Sequence, residues 1–358
     1  MTVVARFEIE HTQFLDPQGN ATQALPAFAQ DPKALVPLYR AMTLNRTFDA
    51  KCVSLQRTGQ LGTYASTLGK EAVDTGIGSA MRPEDVLLVT YREAGAQMWR
   101  GVQMHELLLY WGGDERGSDF AVPRKDFPIC VTIASQCVHA VGVAYAMKLR
   151  GEQRAAVCMC GDGATSKGEF YEGINAAGVW KLPAVFVVTN NHYAISVARK
   201  TQSAAETLAQ KAIAAGIEGI QLDGNDVIAM RHAMDRALEK ARSGGGPTVL
   251  EAVSYRLSDH TTADDATRYR SAEELKQAWA NEPLLRLRNH LLASNAWSKA
   301  EEEQLIKQCS EQVQLAVQTY LDTPKPPPEF MFDHLYATLP AALDAQRAQA
   351  IAEGRRHG

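Results

Sequence analysis

Two stretches decide the fold of this chain: Ala155-Ala156-Val157-Cys158-Met159-Cys160-Gly161-Asp162-Gly163 and Ala184-Val185-Phe186-Val187-Val188-Thr189-Asn190-Asn191. Each begins as a continuous apolar run of strand length and ends in polar residues, the pattern of a strand buried on both faces. Between them, Phe170, Ile174, Ala177 and Val179 recur at near-helical spacing from Gly168 to Lys181, and Pro183 marks a stop. The unit is strand, helix, strand. A crossover of this length makes the two strands parallel and right-handed, so both C-terminal ends emerge on one edge of the sheet.

Asp162 and Asn191 therefore converge on an edge where open α/β sheets bind ligands. Gly161 and Gly163 let the backbone approach a ligand closely, and the following helix aims its N-terminal amides at a phosphate. One carboxylate, one amide oxygen and a nearby backbone carbonyl form a hard oxygen set, suited to magnesium holding a diphosphate rather than to zinc. Other phosphate loops fit poorly. The dinucleotide pattern needs glycine where Ser166 stands, and in place of the P-loop's Gly-Lys-Ser/Thr the order here is Lys167-Gly168. Alone, Gly-Asp-Gly is also the signature of a plain strand-to-helix turn. The asparagine pair at the end of the next strand is what points to a site.

Gly161-Asp162-Gly163-Ala164 with Asn190-Asn191 resembles the thiamine-diphosphate motif. The intervening Glu169-Phe170-Tyr171-Glu172-Gly173-Ile174-Asn175 resembles one branch of that superfamily, the alpha subunit of the decarboxylating component of 2-oxo acid dehydrogenase complexes, of pyruvate or branched-chain type. The resemblance runs from about Leu38 to Leu339. It implies thiamine diphosphate and Mg2+ as cofactors, with Asp162, Asn191 and the backbone carbonyl of Tyr193 as metal ligands and Gly161, Gly163 and Ala164 beside the diphosphate. It further implies that Tyr91 and Arg92 bind the diphosphate, that Ile133 contacts the aminopyrimidine through its backbone, and that His260 approaches the cofactor as a catalytic group. Tyr64, in the loop Gly62 to Gly69, is the candidate for the 2-oxo acid pocket.

The remaining strands support this placement. Val86-Leu87-Leu88-Val89 leads directly to Tyr91-Arg92, and Thr248 to Tyr255 leads to His260, so both loops arrive on the edge that carries Asp162. A guanidinium there holds diphosphate oxygens bidentately; a lone histidine is otherwise more often structural. His192 is expected to point to solvent. Val227, Met230, Met234 and Leu238 share one helix face and read as core. A doubly wound parallel sheet follows.

Composition excludes other classes. The chain has 358 residues, a formal charge of −4 and 22% charged residues, with no basic excess to suggest nucleic acid or a membrane surface. No apolar span or signal-peptide pattern is visible, and a soluble cytoplasmic protein is expected. Six cysteines stand at 52, 130, 137, 158, 160 and 309 without a CxxC pair. Cys158 and Cys160 share a strand face, which fits small buried hydrophobes in a reducing compartment better than a metal pair.

Three parts are expected: an N-terminal arm over 1–33, irregular or a short hairpin; an α/β cofactor domain over 34–270, with a scaffold helix from Leu35 to about Gln56; and a C-terminal helical extension with a tail over 271–358. Ser271 with Glu274 and Ser298 with Glu301 fit the capping box, predicting helices near 271–281, 283–294 and 298–322. The Pro-rich run 323–328 is an extended linker.

No residue matches the glutamate that activates the cofactor, which in the resembled family belongs to a beta subunit. The resemblance thus implies an α₂β₂ heterotetramer serving a lipoyl-bearing acyltransferase. Substrate signals divide. Phe170 to Asn175 and Gln210 to Gly219 resemble bacterial pyruvate enzymes. Tyr91-Arg92-Glu93-Ala94-Gly95, with alanine where many pyruvate members carry histidine, and Leu222 to Asp226 resemble branched-chain ones. Pyruvate is favoured over 3-methyl-2-oxobutanoate; acetoin dehydrogenase and a non-catalytic module of this fold are remoter alternatives. Ser135 and Gln136 match part of a potassium loop, but Cys130 replaces its first serine and no potassium site is predicted. Thr261 stands where mitochondrial relatives are phosphorylated on serine.

Overall fold

The computed structural model describes residues 1–357. Six strands form one parallel sheet: β1 (Glu10–Thr12), β2 (Val86–Leu88), β3 (Ala156–Gly161), β4 (Ala184–Asn190), β5 (Glu218–Asp223) and β6 (Thr248–Val253). Their spatial order is β1-β5-β6-β4-β3-β2. The two stretches quoted first are adjacent, in register from Ala156 opposite Ala184 to Gly161 opposite Thr189, and β4 lies between β3 and β6 at the centre. Asp162 and Asn191 thus leave neighbouring strands on the same edge.

Side-chain alternation divides the core. Val157, Met159, Val185 and Val187 face one side, where they pack with Val73 and Ile77 of α1 (Glu71–Ala80) and Met230 and Met234 of α2 (Val227–Arg242). Ala156, Cys158, Phe186 and Val188 face the other, against α3 (Ser135–Leu149) and α4 (Gly168–Val179). Helices on both faces of a parallel sheet make it doubly wound, as expected. α2 starts where Asp226 accepts the amides of Ile228 at 2.9 Å and Ala229 at 3.2 Å, an N-cap that satisfies two otherwise orphaned donors.

The N-terminal segment is irregular over 1–9, and Leu15 pairs antiparallel with Ala21 across the turn at Asp16 to Asn20, as an arm with a short hairpin would. Beyond that expectation, Glu10–Thr12 adds a parallel edge strand to β5, with His11 opposite Gln221. The Asp226 carboxylate pins the chain just beyond it by accepting Phe14 N at 2.7 Å and Leu15 N at 2.8 Å. The scaffold helix spans Val36–Arg57. Helices Ala272–Trp279, Pro283–Ala293 and Lys299–Asp322 occupy the C-terminal segment. Leu287, Leu291, Leu305 and Cys309 from them pack with Leu38 and Met42 of the scaffold helix. Among the described residues no helix is long and apolar enough to cross a membrane.

Candidate functional site

The C-terminal ends of β2, β3 and β4 border a cavity of about 480 Å³. Asp162, Asn191, Tyr193, Tyr91, Arg92, Ile133, Gly161, Gly163, Ala164 and His260 all line it, so nine cofactor and metal candidates and the catalytic candidate meet at one place. Tyr64 is not brought there. Its ring is buried, and its hydroxyl donates to Asp49 in the scaffold helix at 2.9 Å. Its backbone does reach the site loop, exchanging hydrogen bonds with Thr262 at 3.0 and 2.9 Å.

Asp162 is 2% exposed and its Oδ2 has no hydrogen-bond partner. Burial pushes its carboxyl up to about 6, against the lowering effect of nearby backbone amides. An unpartnered buried carboxylate oxygen is costly unless something binds it. Asn191 Oδ1 accepts only a long 3.3 Å bond from Tyr193 N, and the Tyr193 carbonyl accepts an equally long one from Arg256. These weakly engaged oxygens fit a hard cation. Among the described residues no three His, Cys, Asp or Glu side chains gather into a metal-binding group. With one charged ligand, such a set would leave positions in a magnesium sphere for waters or for the anionic oxygens of a ligand.

Arg92, 7% exposed, donates to the carbonyl of Ser66 and, at 2.8 Å, to the carbonyl of His260. It lies over the Tyr91 ring, 5.4 Å from the centroid. His260 Nδ1 faces Arg92 at 3.3 Å and Arg256 at 3.4 Å. Guanidinium groups only donate, so Nδ1 is the acceptor and the ring proton resides on Nε2. Burial, then the charges of Arg92 and Arg256, push the His260 imidazole down to about 4. The ring is therefore a neutral hydrogen-bond donor.

Several cavity residues were not anticipated. Glu93 Oε2 accepts Thr90 N at 2.7 Å, Thr90 Oγ1 at 2.6 Å and Arg92 N at 3.3 Å, which shapes the turn that presents Arg92. Its other oxygen pairs with Lys70, 3.3 Å away. Both oxygens being engaged, Glu93 is not free to activate a cofactor. Gln136 and Thr189 also border the cavity, with Gln136 Oε1 and Thr189 Oγ1 unpartnered. His192 does not simply extend into solvent: at φ +70° its ring lies 5.8 Å from the Tyr255 ring.

Residues 39–329 match the family described as the dehydrogenase E1 component. The pyruvate dehydrogenase E1 component subunit alpha of Staphylococcus epidermidis is 37% identical over 340 residues, covering 95% of this chain and 92% of that protein. The protein of the same name from Staphylococcus aureus is 38% identical over 340 residues, with the same coverage. That from Mycoplasma genitalium is 37% identical over 336 residues, covering 94% of each chain. With matches that extend along nearly the whole sequence and through every strand of the site, the chain belongs to the dehydrogenase E1 component family.

Proposed function

We propose that this chain is the alpha subunit of a pyruvate dehydrogenase decarboxylating component. With a beta subunit it decarboxylates pyruvate through thiamine diphosphate and passes the acetyl group to a lipoyl-bearing acyltransferase. The observation that carries this reading is the cavity that joins the oxygens of Asp162, Asn191 and Tyr193 to the guanidinium of Arg92. We assign residues 34–270 to the cofactor domain and 271–358 to an extension, the 1–33 segment supplying the edge strand.

In this assignment Mg2+ is held by Asp162, Asn191 and the Tyr193 carbonyl, and the diphosphate by Arg92 and Tyr91 with the backbone of Gly161, Gly163 and Ala164. Ile133, exposed at the cavity wall, would meet the aminopyrimidine through its backbone. When bound, thiamine diphosphate would supply a carbanion nucleophile for the ketone and an electron sink for the loss of carbon dioxide. The chain's own groups bind and orient it. His260 offers the Nε2 proton into the cavity and stabilises developing negative charge there, without itself changing protonation near neutral pH.

Among the described residues the only glutamate that lines the cavity is Glu93, and both of its oxygens are committed. The activating carboxylate must then come from the beta subunit, and the lone chain turns over no substrate. The test uses the reconstituted heterotetramer with pyruvate and with 3-methyl-2-oxobutanoate. A higher kcat/KM for pyruvate and no decarboxylation by the alpha chain alone are expected. A preference for the branched acid overturns the substrate, and full activity of the lone chain overturns the division of labour.

A further inference from the structure

Three thiols meet directly behind the cavity wall. Strand alternation turns Cys158 and Cys160 of β3 to the same face, where α3 lays Cys137 against them. The Cys137 and Cys158 sulfurs are 3.8 Å apart. All three are free thiols, none more than 1% exposed. Their shielding is nevertheless thin on one side, because Cys160 and Gln136, the residue before Cys137, both line the cavity. A small solute inside the cavity thus meets Cys160, itself a member of the cluster.

The three are not equivalent. Cys137 sits in the first turn of a 15-residue helix, where the N-terminal amides favour a thiolate. The Cys158 thiol and then the Cys160 thiol donate toward it, holding it well below the ordinary thiol range. Burial and the pairing with Cys137 push Cys158 the other way. A sulfur at a helix N-terminus therefore stands in contact with a second sulfur on the neighbouring strand. That is the arrangement of an attacking and a resolving thiol.

We propose that Cys137 and Cys158 form a redox-sensitive dithiol site, open to peroxide through the empty cavity and shielded when the cavity is filled. The Cys137 thiolate attacks hydrogen peroxide; a sulfur–oxygen bond forms, the oxygen–oxygen bond breaks, and the departing hydroxide takes up a proton to leave as water. The Cys158 sulfur then attacks the Cys137 sulfenic acid, a disulfide forms, and the hydroxyl leaves as a second water with the Cys158 proton. Two thiols and one peroxide yield one disulfide and two waters. The bridge draws the start of α3 toward β3 and displaces the wall made by Ile133 and Gln136, so the oxidised protein binds its cofactor at least about tenfold more weakly.

The experiment treats the full chain, assembled with its beta subunit, with hydrogen peroxide, and reads intact mass and bridged peptides. Loss of two hydrogens, mapped to Cys137 with Cys158 and reversed by dithiothreitol, is expected. Cys158→Ser should leave a dimedone-reactive sulfenic acid on Cys137 instead. Saturating thiamine diphosphate with Mg2+ should slow the reaction at least about tenfold. Absence of the bridge in wild-type protein, or its persistence in both Cys137→Ser and Cys158→Ser, overturns the proposal. Equal rates with the cavity filled and empty overturn the route of access. Shielding rests on the cofactor reading, whereas the bridge is scored without ligand. A chain that bridges but shows no calorimetric cofactor binding therefore faults that reading and not the dithiol site. Cys137→Ala and Cys158→Ala, checked by circular dichroism, replace any serine variant that does not fold.

Discussion

The two ends of the parallel sheet treat buried charge in opposite ways. At the N-terminal ends, Asp85 is fully buried, yet its oxygens accept Arg82 N at 2.8 Å, Ala155 N at 2.9 Å and the Arg242 guanidinium. Asp126 likewise accepts Leu87 N at 2.9 Å and Arg100 Nη2 at 2.8 Å. At the C-terminal ends, Asp162 is just as deeply placed, but one oxygen has no partner, and Gln136 and Thr189 leave polar atoms open beside it. One edge uses its polar groups to close the fold. The other holds them ready for a ligand. Burial alone does not tell the two apart; hydrogen-bond completeness does.

The largest expected effect would break that comparison outright. Asp162→Ala should weaken Mg2+-dependent binding of thiamine diphosphate by at least about 100-fold, since it removes the only charged metal ligand. Calorimetry on the heterotetramer checks it, and unchanged affinity would refute the metal assignment. The mirror substitution, Asp85→Ala, should cost about 3 kcal/mol of unfolding free energy by stranding Arg242 and two amides. Cofactor affinity should stay at the wild-type value in the folded protein. If instead Asp162→Ala destabilised the fold and Asp85→Ala spared it, the roles of the two edges would be reversed.

A subtler test uses pH. His260 is held neutral, its imidazole lowered from the usual 6.5 to about 4 by burial and the nearby arginines. Between those values the unfolded chain binds more protons than the folded one. Stability is thus complete above about pH 6.5 and is lost as pH falls toward 4. The ring is partly open to solvent, which reduces the full shift to about 1 to 2 kcal/mol. Urea unfolding across this range should show a shallower pH slope in His260→Asn, and coincident slopes would mean that the ring is not held neutral. The smallest effect lies far from both edges. Ser298 Oγ accepts Glu301 N at 3.3 Å and donates to Glu301 Oε2 at 2.7 Å; Ser298→Ala should cost about 1 kcal/mol of stability. No change in cofactor affinity should accompany it in calorimetry.

What was legible in the sequence follows from the same physics. The doubly wound sheet was readable because β3 and β4 are unbroken apolar runs. Asp162 and Asn191 were placeable because they directly follow those runs, and Arg92 and His260 because they follow the strands beside them, a parallel sheet delivering all those ends to one edge. The edge strand Glu10–Thr12 was not, since three exposed or half-exposed residues carry no periodicity and the Asp226 carboxylate that pins the next segment is 212 positions from Phe14. Tyr64 was read as facing the site because its loop goes there; Asp49, 15 residues earlier, turns the side chain inward. Lys70 and Glu93 carry no signal of their own in the sequence. Lys70 is buried because it pairs with both Asp74 and Glu93, and the contact to Glu93, 23 positions away, follows no local pattern.

Glu274 has a bearing on how this gene product can be cut and rebuilt. It belongs to the first helix of the C-terminal extension and accepts hydrogen bonds from the hydroxyls of Tyr193, at 3.0 Å, and Tyr255, at 2.8 Å. Tyr193 is also the residue whose carbonyl is assigned to the metal. A truncation at residue 270, the boundary assigned to the cofactor domain, would sever a side-chain strut from the residue to which the cation is assigned. Swapping extensions between relatives would then demand that a carboxylate arrive at the same spot, so the extension cannot be treated as an interchangeable handle.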